Sequence, residues 1–188
     1  MILIIDNYDG CSNNIYQLAG EFDPDIRIVR NDRITPEEIR SLRPDHILLS
    51  GGSAAPEDAG RDLEIVKEFC GQIPVLGICL GYRVICAAFG AACVQMREIR
   101  QGKRLSVDLD TASPLFYGLP ERIRAGFYHS VTVPEESISE PLRIIARCGG
   151  DPAGVSWEEK RLYGVQFHPE SFLSEGGREI MENFLTRC

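Results

Sequence analysis

The stretch VLGICLGYRV, residues 75–84, joins a short hydrophobic run to a helical pattern with no intervening loop. Residues 75–78 favour a buried strand, because aliphatic side chains dominate them. Gly77 and Gly81 lie on either side of Cys79, and small residues there let a strand and the next helix approach closely. The stretch therefore predicts a strand, a tight turn and a helix, with a cysteine in the turn.

The preceding residues repeat this alternation of strands and helices. Thr35, Pro36 and Glu38 have the spacing of a capping box with proline at the first helical position, which marks a helix start. Strands that alternate with helices at this spacing form right-handed crossovers within a parallel sheet. The pattern predicts strands at 1–5, 25–30, 46–50 and 74–78, and helices at 12–20, from 36, at 61–70 and at 80–89.

The second half of the chain has strand patterns with few helical ones between them. We predict one domain, residues 1–188, with an α/β fold. An open, mainly parallel twisted sheet carries helices on both faces, and a smaller antiparallel strand region is added to it. The further strands are predicted at 104–109, 122–127, 131–133, 142–147, 153–157 and 162–167, and a last helix at 177–185.

Composition and charge narrow the possible functions. A net charge of −8 disfavours nucleic-acid binding, which needs a concentrated basic surface. No apolar run approaches the length of a membrane span, and MILIID at the start lacks the basic segment of a secretory signal. The seven cysteines form neither a disulfide framework nor a CxxC metal motif. We therefore expect a cytoplasmic protein without nucleic-acid or membrane partners.

Cys79 is the first candidate for chemistry. The pattern G-x-C-x-G is the cysteine counterpart of the nucleophile elbow, which exposes a nucleophile beyond the carboxyl end of a strand. The N-terminus of the following helix favours a thiolate there, and the Leu80 N–H points to where an oxyanion would form. The alternative is a buried structural cysteine between two packing glycines.

A cysteine nucleophile needs a base and a group that orients the base. Of three histidines, His168 is the best candidate, because Pro169 holds it in an extended conformation. In an extended chain residues i and i+2 face the same way, so His168 and Glu170 share one face. Glu170 is thus placed to hold one ring nitrogen while the other takes the cysteine proton. The alternative is a surface His-Pro-Glu turn.

At this point the chain resembles the class I glutamine amidotransferases. LGICLG, residues 76–81, matches their nucleophile motif, and YGVQFHPES, residues 163–171, matches their histidine-glutamate motif. Within that class the chain is similar to the glutaminase subunits of anthranilate synthase and aminodeoxychorismate synthase. This similarity rests on IDNYDG (5–10), VRND (29–32), PEDAG (56–60) and YHS (128–130).

The resemblance implies a flavodoxin-like fold and a reaction. Cys79 attacks the side-chain amide of glutamine, Gly52 and Leu80 hold the oxyanion, His168 carries the proton to ammonia, and Glu170 orients His168. Ammonia then passes to a larger chorismate-using synthase subunit, and this chain needs no metal or organic cofactor. The substrate-binding residues implied by the match are Gly52, Ser53, Ala54, Arg83, Ser130 and Val131.

Four stretches depart from the family pattern. Arg83 stands where the family usually has a glutamine that helps hold the substrate, and SGGSAAP (50–56) replaces the usual SPGPGTP. An arginine is longer and always charged, so it either pairs with the substrate α-carboxylate or fills the pocket. Gln101-Gly102-Lys103 replaces His-Gly-Lys, and Gly10-Cys11-Ser12 replaces Ser-Phe-Thr. We expect these last two stretches to bear on the partner interface.

Other functions stay open at this stage. A glutaminase subunit of GMP synthetase is similar, although the NYD and VRND segments favour the chorismate branch. A cysteine hydrolase of the same general fold and a non-enzymatic binding or regulatory subunit are further alternatives. The sequence does not separate anthranilate from aminodeoxychorismate synthesis, since that chemistry belongs to the other subunit.

Overall fold

A computed structural model describes all residues from 1 to 188. The chain forms nine strands and five α-helices around one sheet. The strands are β1 (Ile2–Asp6), β2 (Ile26–Arg30), β3 (His46–Leu49), β4 (Val75–Ile78), β5 (Val94–Leu109), β6 (Arg122–Thr132), β7 (Arg143–Cys148), β8 (Asp151–Trp157) and β9 (Leu162–Val165). The helices are α1 (Ser12–Gly20), α2 (Pro36–Leu42), α3 (Asp62–Phe69), α4 (Leu80–Ala88) and α5 (Gly177–Arg187).

The sheet is mixed, with the strand order β2-β1-β3-β4-β9-β8-β7-β5-β6. In this spatial order, adjacent strands are parallel along β2-β1-β3-β4-β9 and antiparallel along β9-β8-β7-β5-β6. The predicted α/β class with a parallel sheet and helices on both faces is confirmed. The antiparallel part is larger than expected, since it contributes as many strand pairs as the parallel part.

Two hydrophobic layers cover the sheet. In β1, Ile2 and Ile4 belong to the layer that contains α1 and α5, whereas Leu3 and Ile5 belong to the layer that contains α2, α3 and α4. Alternate residues of a strand face opposite sides, so a strand buried on both faces is apolar throughout. This explains why 1–5 is an unbroken hydrophobic run.

The predicted helix start at Thr35 is confirmed as a capping box. The Glu38 N–H donates to the Thr35 hydroxyl at 3.3 Å, and the Thr35 N–H donates to the Glu38 carboxylate at 2.8 Å. Two amides that lack partners within the helix are thereby satisfied. The cap fixes the direction in which α2 leaves the loop after β2.

The hairpin β5–β6 differs most from the prediction. β5 begins at Val94 rather than at 104, and β6 is one continuous strand where two had been predicted. β5 is mostly exposed to solvent and rich in charged residues. Because a strand with little buried surface lacks the hydrophobic alternation that identifies strands, its first ten residues carried no strand pattern.

None of the helices combines the length and the apolar composition that crossing a membrane would require.

Candidate active site

Cys79 lies in a strained turn between β4 and α4. Its backbone has φ 53° and ψ −95°, a conformation that residues with a side chain rarely adopt. A Cβ on Gly77 would overlap the backbone of Gly81, and one on Gly81 would lie 2.6 Å from the Leu49 carbonyl oxygen. The two glycines therefore permit the close approach of strand and helix that the sequence predicted.

His168 and Glu170 lie close together beyond the end of β9. The Nδ1 of His168 is 2.6 Å from Oε1 of Glu170, and the two side chains are 3% and 0% exposed. Burial alone would lower the pKa of His168, but the neighbouring Cys11 and Cys79 thiols and the Glu170 carboxylate raise this pKa well above its ordinary value. The pair thus favours a protonated imidazole whose Nε2 is left without a hydrogen-bond partner.

The antiparallel half of the sheet holds His168 in place. The His168 N–H donates to the Gly126 carbonyl of β6 at 3.0 Å, and the Ser174 hydroxyl donates to the His168 carbonyl at 2.6 Å. The Tyr128 ring stands edge-on to the imidazole with centroids 5.1 Å apart, and its hydroxyl is 2.9 Å from that of Ser171. β6 therefore fixes the position and the ring plane of His168.

Cys79 and His168 face a common cavity of about 330 Å³. Of the predicted substrate-binding residues, Gly52 and Ser53 line this cavity, whereas Ala54, Arg83, Ser130 and Val131 lie outside its lining. The contacts of these four with substrate stay predictions. The lining consists of Tyr8, Asp9, Gly10, Cys11, Gly52, Ser53, Cys79, Gln101, Tyr128 and His168.

Gly52 and Leu80, the predicted oxyanion donors, are neighbours. A Cβ on Gly52 would lie 2.8 Å from the Leu80 side chain and 2.9 Å from the Asn7 carbonyl, so no larger residue fits. The N–H of Leu80 belongs to the first turn of α4, where amides have no partner within the helix. Neither this amide nor that of Gly52 donates to a carbonyl of the surrounding loops. Both remain available to a developing negative charge.

Arg83 is buried in α4 next to the oxyanion loop. It is 4% exposed, its guanidinium donates to the Gly52 carbonyl at 3.1 Å, and its Nε has no partner. This carbonyl is the only hydrogen-bond partner of the guanidinium and is not a carboxylate, although a buried charge without a counter-charge is costly. Arg83 therefore acts on the loop from behind the cavity rather than from within it.

The residues of the YHS stretch differ in their relation to the cavity. Tyr128 lines the cavity, whereas His129 turns its Nδ1 to the Val131 carbonyl at 2.7 Å. Burial lowers the pKa of His129 to about 4, so its ring is neutral at physiological pH. Ser130 and Val131 are both partly exposed on β6.

A buried polar network supports the oxyanion loop. The Asn7 N–H donates to the Ser50 hydroxyl at 2.9 Å, and the Asn7 side-chain amide donates to Asp62 at 2.8 Å. Asn31 donates to the Asn7 side-chain carbonyl at 2.8 Å, and its own main-chain carbonyl accepts from Arg61. The network joins the IDNYDG and VRND segments to the start of α3, which directly follows PEDAG.

Gln166 is a further site residue beyond those predicted from the sequence, since its side-chain amide donates to the Cys79 sulfur at 3.5 Å and it is 1% exposed. The i, i+2 rule that places Glu170 beside His168 also places Gln166 there, so the pattern could have identified it. Cys11 and Gln101 had been assigned to partner-interface stretches, yet both side chains line the cavity. Asp9 was likewise not predicted as a site residue.

Comparison with known proteins confirms the family. The profile described as "Glutamine amidotransferase class-I" matches residues 3–188. The chain belongs to the class I glutamine amidotransferases.

Three curated relatives narrow the branch. The "Bifunctional protein TrpGD" of Thermotoga maritima is 42% identical over 98% of this chain, which spans 32% of that longer protein. "Anthranilate synthase component 2" of Pseudomonas aeruginosa is 38% identical, covering 98% of this chain and 94% of that one. "Aminodeoxychorismate synthase component 2" of Klebsiella aerogenes is 39% identical over 100% of both. The chain is therefore a glutamine amidotransferase enzyme subunit.

Among solved structures, a "putative gmp synthase subunit a protein" from Thermoplasma acidophilum is similar in fold. It superposes with a TM-score of 0.86 at 27% identity, covering 98% of this chain and 91% of that one. The relatives with synthase component 2 names are the more similar in sequence.

Proposed function

We propose that this chain hydrolyses glutamine to glutamate and ammonia through Cys79, His168 and Glu170. The observation that carries the proposal is the arrangement of the three. A strained cysteine and a buried histidine-carboxylate pair face one cavity, and the free Nε2 of His168 is on the cavity side of the pair. We propose that all 188 residues act as one amidotransferase unit.

In the first half of the reaction, the Cys79 sulfur attacks the side-chain amide carbon of glutamine. The amides of Gly52 and Leu80 hold the negative charge that develops on the carbonyl oxygen. His168, whose contacts favour the protonated form despite its burial, gives its proton to the departing nitrogen. The C–N bond breaks, ammonia leaves, and a glutamyl thioester remains on Cys79.

In the second half, water attacks the thioester and releases glutamate. His168 takes a proton from that water and Glu170 stabilises the resulting imidazolium, as in other nucleophile-base-orienter triads. Gln166 donates to the Cys79 sulfur and so limits the directions in which the sulfur can turn. The same three side chains therefore serve both half-reactions.

Substrate recognition is proposed for the loop of Gly52, Ser53 and Ala54 and for Ser130 and Val131 on β6. Arg83 is proposed to set substrate affinity through the loop, because its guanidinium holds the Gly52 carbonyl.

We further propose that the ammonia passes to a larger chorismate-using synthase subunit in the cytoplasm. The "component 2" names of the relatives support a second component. Three large hydrophobic side chains are exposed and suit a docking surface, namely Phe172 at 92%, Tyr8 at 60% and Ile99 at 55%, and Tyr8 also lines the cavity. Because relatives carry both anthranilate and aminodeoxychorismate names, either product fits the proposal.

The test is glutamate release by the chain together with the synthase subunit of its own organism. Cys79→Ser should abolish release, while Cys70→Ser, a half-buried thiol at the end of α3, should leave it unchanged. Glutamate release that persists in Cys79→Ser would rule out the mechanism. Binding to the synthase without any glutamate release by the unaltered chain would instead favour a regulatory subunit.

A further inference from the structure

A second thiol lies at the active site, and the triad does not use it. Cys11 lines the same cavity as Cys79, and its sulfur lies within 4.8 Å of a His168 ring nitrogen. Asp9, Cys11, His168 and Glu170 each offer one ligand atom, and these atoms all lie within 4.8 Å of one another. Because they come from the loop after β1 and the segment after β9, only the folded chain brings them together.

The cluster contains buried polar atoms that have no protein partner. His168 and Glu170 have side-chain exposures of 3% and 0%, and Nε2 of the former and Oε2 of the latter accept or donate no hydrogen bond. Oδ2 of Asp9 is likewise buried without a partner. Such atoms are costly to bury, and a cation bound by Asp9 and His168 would satisfy two of the three.

The approach of these groups depends on Gly51. A Cβ at that position would lie 2.5 Å from the Asp9 carboxylate oxygen and 2.9 Å from Cε1 of His168. The absence of a side chain therefore lets the carboxylate and the imidazole share one side of the cavity.

We propose that Asp9, Cys11 and His168 bind a thiophilic divalent cation such as Zn²⁺, which reversibly inhibits the glutaminase. One thiolate, one imidazole and one carboxylate form a ligand set typical of zinc, and sulfur disfavours magnesium and calcium. The Cys11 thiol and Nε2 of His168 each release a proton to solvent as the metal–sulfur and metal–nitrogen bonds form. Ligand atoms around tetrahedral zinc are roughly 3.3–3.6 Å apart, so a shift of about 1 Å in the Asp9–Cys11 loop completes the site.

Glu170 supports the proposed metal site by orienting His168. It holds Nδ1 of His168 at 2.6 Å, which directs Nε2 outward, and carboxylate-histidine pairs of this kind support metal-bound histidines. A cation on Nε2 prevents His168 from exchanging protons with Cys79 or with the leaving nitrogen. Inhibition, but not metal binding itself, rests on the proposed glutaminase function.

The test measures Zn²⁺ binding to the full chain by competition with a chromogenic chelator, in a non-thiol reductant that excludes disulfides. Cys11→Ala and Cys11→Ser should each weaken binding at least about tenfold, and Asp9→Asn should also weaken it. Cys79→Ala and Cys70→Ala should bind within about threefold of the unaltered chain, since neither supplies a ligand. Thermal melts establish that each variant is folded.

Equal affinity in the folded Cys11 variants, or loss of affinity in Cys79→Ala alone, would overturn the proposal, because the metal would then sit on the nucleophile. Glutamate release is measured in parallel, relative to each variant's own metal-free rate. Zinc should inhibit the unaltered chain at concentrations at least about tenfold lower than it inhibits Cys11→Ala. Zinc binding that depends on Cys11 in a chain without glutaminase activity would support the metal site and contradict the proposed function. Failure of the metal-site proposal is thereby distinguished from failure of the proposed function.

Discussion

The two halves of the sheet hold the reacting groups in different ways. Cys79 belongs to the parallel half, where β4, α4 and two glycines pack closely around its backbone. His168 follows the last parallel strand, but its loop is attached to β6 of the antiparallel half. The nucleophile is therefore fixed by packing inside the core, whereas the base is fixed by hydrogen bonds to a hairpin.

Because of this difference, we expect substitutions in the parallel half to lower mainly the stability of the protein and substitutions in the antiparallel half to lower mainly its activity. A change next to Cys79 acts on the core and should unfold the protein before it alters the chemistry. A change in β6 should displace the base while the parallel half stays folded, because β6 is the outermost strand on its side of the sheet. Substitutions in the two halves should therefore differ in whether they lower stability or activity more.

The largest effect is expected for Gly77→Ala. The added Cβ would overlap the backbone of Gly81, so the variant should lose about 3 kcal/mol or more of its free energy of unfolding. Gly10→Ala is the matched control, since nothing lies within 4 Å of its Cβ. Urea unfolding followed by circular dichroism measures both. Equal midpoints for the two variants would show that β4 and α4 are less tightly packed than described.

Asp62 tests the polar network in the parallel half. Burial raises its pKa from 3.8 to about 7, despite the hydrogen bond from Asn7 that lowers it. The folded state thus holds a proton that the unfolded state releases, so this group lowers stability as pH rises from about 4 to about 7. Asp62→Asn should remove this pH-dependent loss of stability. At pH 8 the free energy of unfolding of the variant should exceed that of the unaltered chain by on the order of a few kcal/mol.

The measurement is urea unfolding of Asp62→Asn and of the unaltered chain at pH 5, 6, 7 and 8. Asp58→Asn is the control, because Asp58 is exposed in the same loop region. The stability difference for Asp62→Asn should grow with pH up to about 7 and then level off. A difference that is constant with pH would contradict the account of this buried carboxyl.

Gly126→Ala tests the antiparallel half. The new Cβ would lie 2.9 Å from the Ser171 hydroxyl and 3.0 Å from the Leu173 side chain, so the segment that carries His168 must move. We expect kcat for glutamine hydrolysis to fall by about 100-fold, the cost of misplacing a catalytic group by about 1 Å. The loss of stability should be much smaller than in Gly77→Ala. A normal kcat would show that β6 does not position the base.

The smallest effect is expected for Arg83→Gln. Removing the bond to the Gly52 carbonyl and the unpaired charge should lower the KM for glutamine several-fold if Arg83 narrows the site. Steady-state kinetics with the synthase subunit present gives KM and kcat separately. A KM that is unchanged or raised would show that the arginine substitutes for the usual glutamine rather than opposing it.

The sequence predicted those parts of the fold and the site in which short-range backbone geometry and the hydrophobic pattern of buried strands indicate the same structure. The β4–α4 turn and the pairing of His168 with Glu170 follow from glycine spacing and from the geometry of an extended chain. The early part of β5 could not be predicted, because its residues face solvent and have no hydrophobic period. The position of Cys11 against His168 depends on how the loop after β1 crosses the sheet edge, and no local pattern encodes that contact.

The most direct test of the central claim is intact mass analysis after incubation with an electrophilic glutamine analogue, with and without the synthase subunit. The account predicts one adduct per chain, mapped to Cys79 by peptide analysis and absent in Cys79→Ser. The same labelling should slow strongly in Gly126→Ala while the chain stays folded. An adduct on another cysteine, or no adduct even with the synthase bound, would contradict a glutamine site built around Cys79.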